Sequence, residues 1–200
     1  ITLFSNLLFK GVGRHPKSGK KKGGIKVHTV IHANEGVPSE IRFTSAATND
    51  SFMLKPSTLN KGDIMTMDRA YVDYEKFEQL TQRGVIYVTK MKKSLTFSIQ
   101  QDCMWQTPEG LMEVRIQYVT FTKQIKGGEI ITHHARIITY ADTCKHRLIS
   151  LLTNDMDYDP AEIIAIYRQR WEIELLFKQI KQNFPLKYFY GESANAIKIQ

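Results

Sequence analysis

The strongest constraint on the fold is a change of hydrophobic period near residue 155. Between residues 92 and 153 four segments, 95–99, 111–122, 129–139 and 147–152, carry strand patterning, separated by Pro, Gly or polar turns. No helix signal interrupts them. At Asp159-Pro160-Ala161-Glu162 the text changes to an N-cap acid, a proline in the first helical position and a glutamate three residues after the cap. Helical spacing of apolar residues then runs to Phe184, limited by Pro185. Upstream, residues 1–9 resemble the tail of a strand, and 25–33 and 38–46 form two strands around the turn Asn34-Glu35-Gly36. A short helix to Leu59 follows, capped by Asn49 and Asp50, and then an apolar strand ending at Asp68. A helix over 73–83 closed by Gly84 and a strand over 85–91 complete this half. This order predicts an α/β protein, a mixed sheet flanked by helices, with a β-rich insertion before the last long helix. The expected boundaries are 1–91 for the first part of the core, 92–155 for the insertion and 156–200 for the closing helical part.

The chain has 200 residues, 42% of them hydrophobic, enough for one domain with a core and an inserted subdomain. No apolar run reaches the roughly 18 to 20 residues that span a bilayer, and residues 1–9 lack the charged start of a signal peptide. A cytoplasmic place is expected. Cys103 and Cys144 have no metal-type spacing and are expected to be reduced thiols. The net charge of +8 favours a polyanionic partner, without separating DNA from RNA or an acidic membrane. Because the chain starts at Ile1 and stops inside the apolar pattern Ala196-Ile197-Lys198-Ile199, a longer parent protein is expected.

The segment 167–181 mixes charge with bulk. At about 100° per residue, Tyr167, Arg170, Glu174, Lys178 and Lys181 fall within about 80° on one face of an unbroken helix. Ile166, Ile173, Phe177, Ile180 and Phe184 make the adjoining apolar stripe, so the carboxylate stands at a core boundary. Two readings stay open on spacing alone. Arg170/Glu174 and Glu174/Lys178 are i,i+4 pairs, which suits a surface salt-bridge ladder; the same row also suits a site where a carboxylate and phosphate-gripping cations meet. Trp171 is either a core residue or a base-stacking one, and Trp105 is a weaker stacking candidate.

A second cationic feature is the run Lys10 to Lys26, with Arg14, Lys17, Lys20, Lys21 and Lys22 among its glycines. Gly13 and Gly19 are five residues apart and Lys20 is followed by Lys21, so this is not a nucleotide-phosphate loop. Phosphate contact and simple solvation both fit it. His28, His32, His133 and His134 lie in strands and are poor candidates for metal ligands.

Tyr167, Arg170, Glu174 and Lys181, in the pattern Tyr-x2-Arg-x3-Glu-x6-Lys, resemble the signature of bacterial insertion-sequence DDE transposases. Leu151-Leu152-Thr153-Asn154, Arg170-Trp171-x-Ile173-Glu174, Met67-Asp68-Arg69-Ala70-Tyr71-Val72-Asp73-Tyr74 and Ile25-Lys26-Val27-His28 are similar to text of the same family. The resemblance implies an RNase H-like core in which two Asp and one Glu hold two divalent cations, Mg2+ with Mn2+ as a substitute. It matches Glu174 to the third acid and Asp68 to the second. Asp73 is the rival, although its place before Tyr74-Glu75-Lys76-Phe77 suits a helix N-cap. By the same resemblance Tyr167, Arg170 and Lys181 grip the transposon-end strand, with Lys178, Lys20, Lys21 and Lys22 as further DNA-binding candidates.

The implied partners are transposon-end DNA, target DNA and a second transposase subunit, in a bacterial, nucleoid-associated setting. The family places its first acid a few residues before a stretch like Ile1-Thr2-Leu3-Phe4, and no acid occurs between Ile1 and Asn34. Residues 1–200 alone are therefore expected neither to cleave nor to join DNA. A plain RNase H-like nuclease and an inactive DNA-binding remnant are the rival readings.

Overall fold

Strand pairing organises both parts of the chain, and the computed structural model describes residues 2–3, 23–45, 48–107, 110, 112–125, 127–142 and 146–183. One unit comprises Ile1–Phe52 and Trp171–Gln200, the other Met53–Arg170. In the first, β1 (Thr2–Leu3), β2 (Gly23–His32) and β3 (Val37–Ser45) form an antiparallel sheet in chain order. The β2–β3 turn closes by the Gly36 amide donating to the His32 carbonyl at 2.8 Å, with Gly36 at φ 64, a conformation that costs glycine little. Between this hairpin and the next strand, Pro56 and its neighbours give two 3-10 turns, Asp50–Met53 and Pro56–Thr58, in place of the expected helix. Proline removes an amide donor and clashes with the preceding turn of a helix, so the segment tightens instead.

In the second unit β4 (Ile64–Met67) pairs in parallel with β5 (Ile86–Lys90), joined by the helix α1 (Tyr74–Gln82). Gly84 at φ 69 ends the helix and turns the chain into β5. The remaining strands are β6 (Ser98–Gln106), β7 (Glu113–Gln124), β8 (Ile130–Asp142) and β9 (Arg147–Thr153). They are antiparallel and continue the same sheet, in the order β4-β5-β9-β8-β7-β6. The strand expected at 95–99 starts later and runs further, because an edge strand with one wet side carries Gln100, Gln101 and Gln106 at no burial cost.

Alternation along these strands makes two cores. Tyr87, Val119, Phe121, Ala135, Ile137 and Leu152 pack with Phe77 and Leu80 of α1. Residues one step along each strand, Val88, Ile116, Ile138, Tyr140 and Leu151, pack with Ile163, Ile164 and Tyr167. The latter belong to α2 (Pro160–Gln169), whose start carries the expected capping box of Asp159 and Glu162. The sheet is thus mixed and helix-covered on both faces, consistent with an RNase H-like fold.

The long closing helix is a correction to the sequence reading. α2 ends at Gln169 and α3 (Trp171–Asn183) starts two residues later, with Arg170 between them at φ −54, ψ −22. The row computed for one unbroken helix is therefore carried by two, with Tyr167 on the first, Arg170 at the junction, and Glu174, Lys178 and Lys181 on the second. Trp171 is 50% exposed, so its reading as a core residue is also corrected. Trp105 is partly buried against the α2-side core. Among the described residues no helix is long and apolar enough to cross a membrane.

Candidate functional site

The register of the parallel pair fixes where Asp68 stands. Met67 lies opposite Thr89, so Asp68 follows at the carboxyl end of β4, level with Lys90 of β5. Met65 and Met67 point to the α1-side core, and Asp68 is still extended at φ −73, ψ 154, so the alternation sends it to the α2 side. It is exposed. One carboxylate oxygen accepts from the Ala70 amide at 3.4 Å, a long contact that leaves most of its acceptor capacity open. Asp73, the rival acid, occupies the N-cap position of α1 without a side-chain capping bond, and its carbonyl accepts from the Phe77 amide at 2.9 Å. The helix-cap reading of Asp73 thus holds for its position and backbone.

The last turn of α2 reaches the same edge of the sheet. Near its start, Arg136 of β8 donates to the Asp155 carboxylate at 2.9 Å and to the Tyr158 carbonyl at 2.7 Å. Near its end, the Arg168 guanidinium lies close enough to the Tyr140 hydroxyl to act on its ionisation, although burial dominates and holds the Tyr140 pKa up. Arg136 and Tyr140 are four residues apart on β8, about 13 Å, which matches about 15 Å for a ten-residue helix. Tyr140 pairs with Ile149, and Leu151 pairs with Lys90, which puts Tyr140 at the carboxyl end of β5. Tyr167 is 7% exposed in the α2-side core, and the Arg170 guanidinium carbon stands 5.5 Å from the centre of its ring. Asp68, Tyr167 and Arg170 therefore share one unit and one edge of its sheet.

Glu174 and Lys178 belong to the other unit, on α3. Glu174 is partly buried and Lys178 exposed, and together with Phe177 and Gln182 they line one concave surface. Lys181 is described by its backbone alone, and Lys20, Lys21 and Lys22 lie outside the described residues. Among the described residues no group of three His, Cys, Asp or Glu side chains is placed to hold a metal ion.

Sequence reading missed the polar pairs that build the scaffold. Asn154 accepts from the Tyr87 amide and donates to the Val85 carbonyl and the Thr81 hydroxyl, each at 2.9 Å, so the Leu-Leu-Thr-Asn stretch is a clamp between β9, β5 and α1. His133 is fully buried, 2.7 Å from the Tyr87 hydroxyl and 2.9 Å from the Glu78 carboxylate. Burial lowers its pKa, against the opposing pull of Glu78. The same burial pushes the Tyr87 pKa up. In the other unit His28 is buried, with Nε2 2.8 Å from the Thr44 hydroxyl and Nδ1 3.8 Å from Asp50, which Lys26 also holds at 2.8 Å. His134 contacts the Thr120 hydroxyl at 3.1 Å, and His32 is exposed. The doublet of histidines and the acids facing it were visible as letters; the pairings needed the sheet order.

A mixed sheet flanked by helices, with an acid at the carboxyl end of its parallel pair, is an α/β architecture consistent with an RNase H-like core. Residues 8–200 match the family described as Transposase DDE domain, and the chain belongs to that family. It is 27% identical over 92% of its length to "Putative transposase y4zB" of Sinorhizobium fredii, covering 51% of that protein. It is 22% identical to "Probable transposase for insertion sequence element IS5377" of Geobacillus stearothermophilus, over 88% of this chain and 46% of the relative. To "Transposase for insertion sequence element IS231E" of Bacillus thuringiensis subsp. finitimus it is 22% identical, over 86% of this chain and 46% of that one. The chain spans about half the length of the curated relatives it matches. No solved structure matches it.

Proposed function

We propose that this chain is the catalytic part of a DNA transposase, cutting the ends of an insertion sequence and joining them to target DNA. The observation that carries the reading is the family match over residues 8–200, with Asp68 standing open at the carboxyl end of β4 on the side where α2 brings Tyr167 and Arg170. Family members generally use divalent metal ions. The donors fit such an ion: Asp68 and Glu174 are carboxylates, the oxygen ligands that hard cations such as Mg2+ or Mn2+ prefer. Such ions, when bound, would supply stabilisation of the charge on both the attacking and the leaving oxygen in phosphodiester transfer.

In this proposal Asp68 and Glu174 are the carboxylates that would hold the metals. Arg170 presents its planar fork to phosphate oxygens beside the scissile bond, stacked on Tyr167. Lys178 and Lys181 add point charges along the same strand, and the run Lys20 to Lys22 holds flanking backbone. Water is the first nucleophile and a DNA 3′-hydroxyl the second, without a covalent protein intermediate. The partners are transposon-end and target DNA, with a second transposase subunit in the DNA complex. Residues 1–200 hold two of the three acids, and we propose that by themselves they neither cleave nor join DNA.

Mn2+ titration followed by electron paramagnetic resonance tests these two ligand roles. Asp68→Asn and Glu174→Gln should each weaken binding, and the double variant should weaken it no further than the worse single one. Independent, additive losses would mean two unrelated carboxylates. Mg2+-dependent nicking of end DNA by residues 1–200, abolished by Asp68→Ala, would overturn the two-acid part. Strand-joined products would separate transposition from plain hydrolysis.

A further inference from the structure

We infer that Lys92 and Lys93, in the loop after β5, together with Arg69, form a contact surface for duplex DNA phosphates beside Asp68. The inference rests on the function proposed above and adds residues to its binding surface.

The two loops at the carboxyl ends of β4 and β5 stand side by side because their strands are parallel and adjacent in register. Each is fastened to the α1-side core by its own apolar residues, Tyr71 and Val72 in one and Met91, Leu95 and Phe97 in the other. The Met91 amide donates to the Ser150 carbonyl at 2.9 Å, which fixes where the second loop leaves the sheet. Between the anchors Met91 and Leu95 the chain turns, and Lys93 is exposed at that turn while Lys92 is partly buried. Arg69, directly after Asp68, is exposed as well.

Elsewhere in this unit several carboxylates are held by neighbouring groups. Asp102 faces Arg115, Asp155 holds Arg136, Glu75 takes Lys123, and Glu78 takes His133. Arg69, Lys92 and Lys93 pair with no described acid. Three cations therefore lie on the two packed loops at the end of the strand pair where Asp68, whose oxygens are largely open, also stands. A phosphodiester backbone suits that pattern, because it brings regularly spaced negative charge and needs point charges at fixed positions. An acidic peptide would be served less well, since nothing apolar lies exposed between the lysines to seat side chains.

The test compares two charge reversals at opposite ends of the same strands. Lys93 is at the carboxyl end of β5, while Lys61 is exposed just before β4, at the other end. Binding of the whole chain to a fluorescent duplex is followed by anisotropy in EDTA, across a salt series. Lys93→Glu should weaken binding about tenfold and flatten the log-log salt slope by about 0.9, the signature of one lost phosphate contact. Lys61→Glu, with the same change in net charge, should leave the slope as it was. The double variant Lys92→Ala/Lys93→Ala should flatten the slope further without lowering the thermal midpoint, and Arg69→Ala should act in the same direction. Equal losses from Lys93→Glu and Lys61→Glu would reduce the effect to net charge and overturn this inference, leaving the proposed function standing. A wild-type chain that binds no duplex at any salt would sink both.

Discussion

The two faces of the six-stranded sheet are covered by helices of similar length but are put together differently. On the α1 face, polar groups tie the helix to the sheet: Glu78 and Tyr87 hold the buried His133, while nearer the surface Asn154 holds Thr81 and Lys123 reaches Glu75 at 2.9 Å. On the α2 face the core is apolar, and its main polar feature is the buried pair of Arg136 with Asp155 at the start of the helix. The first face spends its polar groups on fixing a helix. The second leaves the Asp68 carboxylate largely open at the edge. A surface meant to meet a ligand needs acceptors that the fold has not already used, and Asp68 stands on the face whose helix has the more apolar core.

That contrast can be broken by unequal damage. Asp155→Ala should have the largest effect, since it strands a buried guanidinium that is 3% exposed; about 3–5 kcal/mol of unfolding free energy should be lost in urea titrations. If instead the loss is slight, the α2 face does not depend on this ion pair. Tyr87→Phe comes next, removing the hydroxyl beside His133 and leaving a buried ring nitrogen without that partner, at about 1–3 kcal/mol.

A pH series sharpens the same point. The folded pKa of His133 lies below the unfolded value of about 6.5, so the unfolded chain takes up more protons as pH falls below it. Stability should therefore be full above about 6.5 and fall as the medium becomes more acidic. Burial lowers the pKa of His28 too, so its contribution has the same sign. Equilibrium unfolding of His133→Gln should show a shallower acid slope than wild type, and an unchanged slope would remove His133 from the account. The smallest effect is expected at Asp102, fully exposed on the edge strand, whose pKa is lowered mainly by its hydrogen bond from Arg115. Asp102→Asn should leave the urea midpoint where it is.

Much of this architecture was legible before any coordinates. The 25–46 hairpin, the acid ending β4, the helix after Asp73 and the capping box at Asp159 all follow from local chemistry, and local chemistry is what a sequence displays directly. The strand β6 was read only at its beginning, because an edge strand whose residues face water lacks the apolar alternation that marks inner strands. The break at Arg170 has no local signature: neither proline nor glycine stands there, and the residue keeps a right-handed helical conformation. Nor could the order β4-β5-β9-β8-β7-β6 be read, since it depends on pairing across long separations. Of the candidate site, Asp68 was legible because its strand is short and apolar. The pairing of Lys92 and Lys93 with its edge was not, because it comes from the parallel register.

The clamp made by Asn154 has a consequence for how the molecule is born. The amide of Tyr87 waits for a side chain 67 positions further along, so the piece spanning α1 and β5 is left with open hydrogen-bonding groups while the ribosome makes β6 through β9. At about 5–20 residues per second, that interval lasts several seconds. During it the nascent strands expose backbone and apolar surface to whatever is nearby, and a chaperone contact there would have to release once Asn154 emerges.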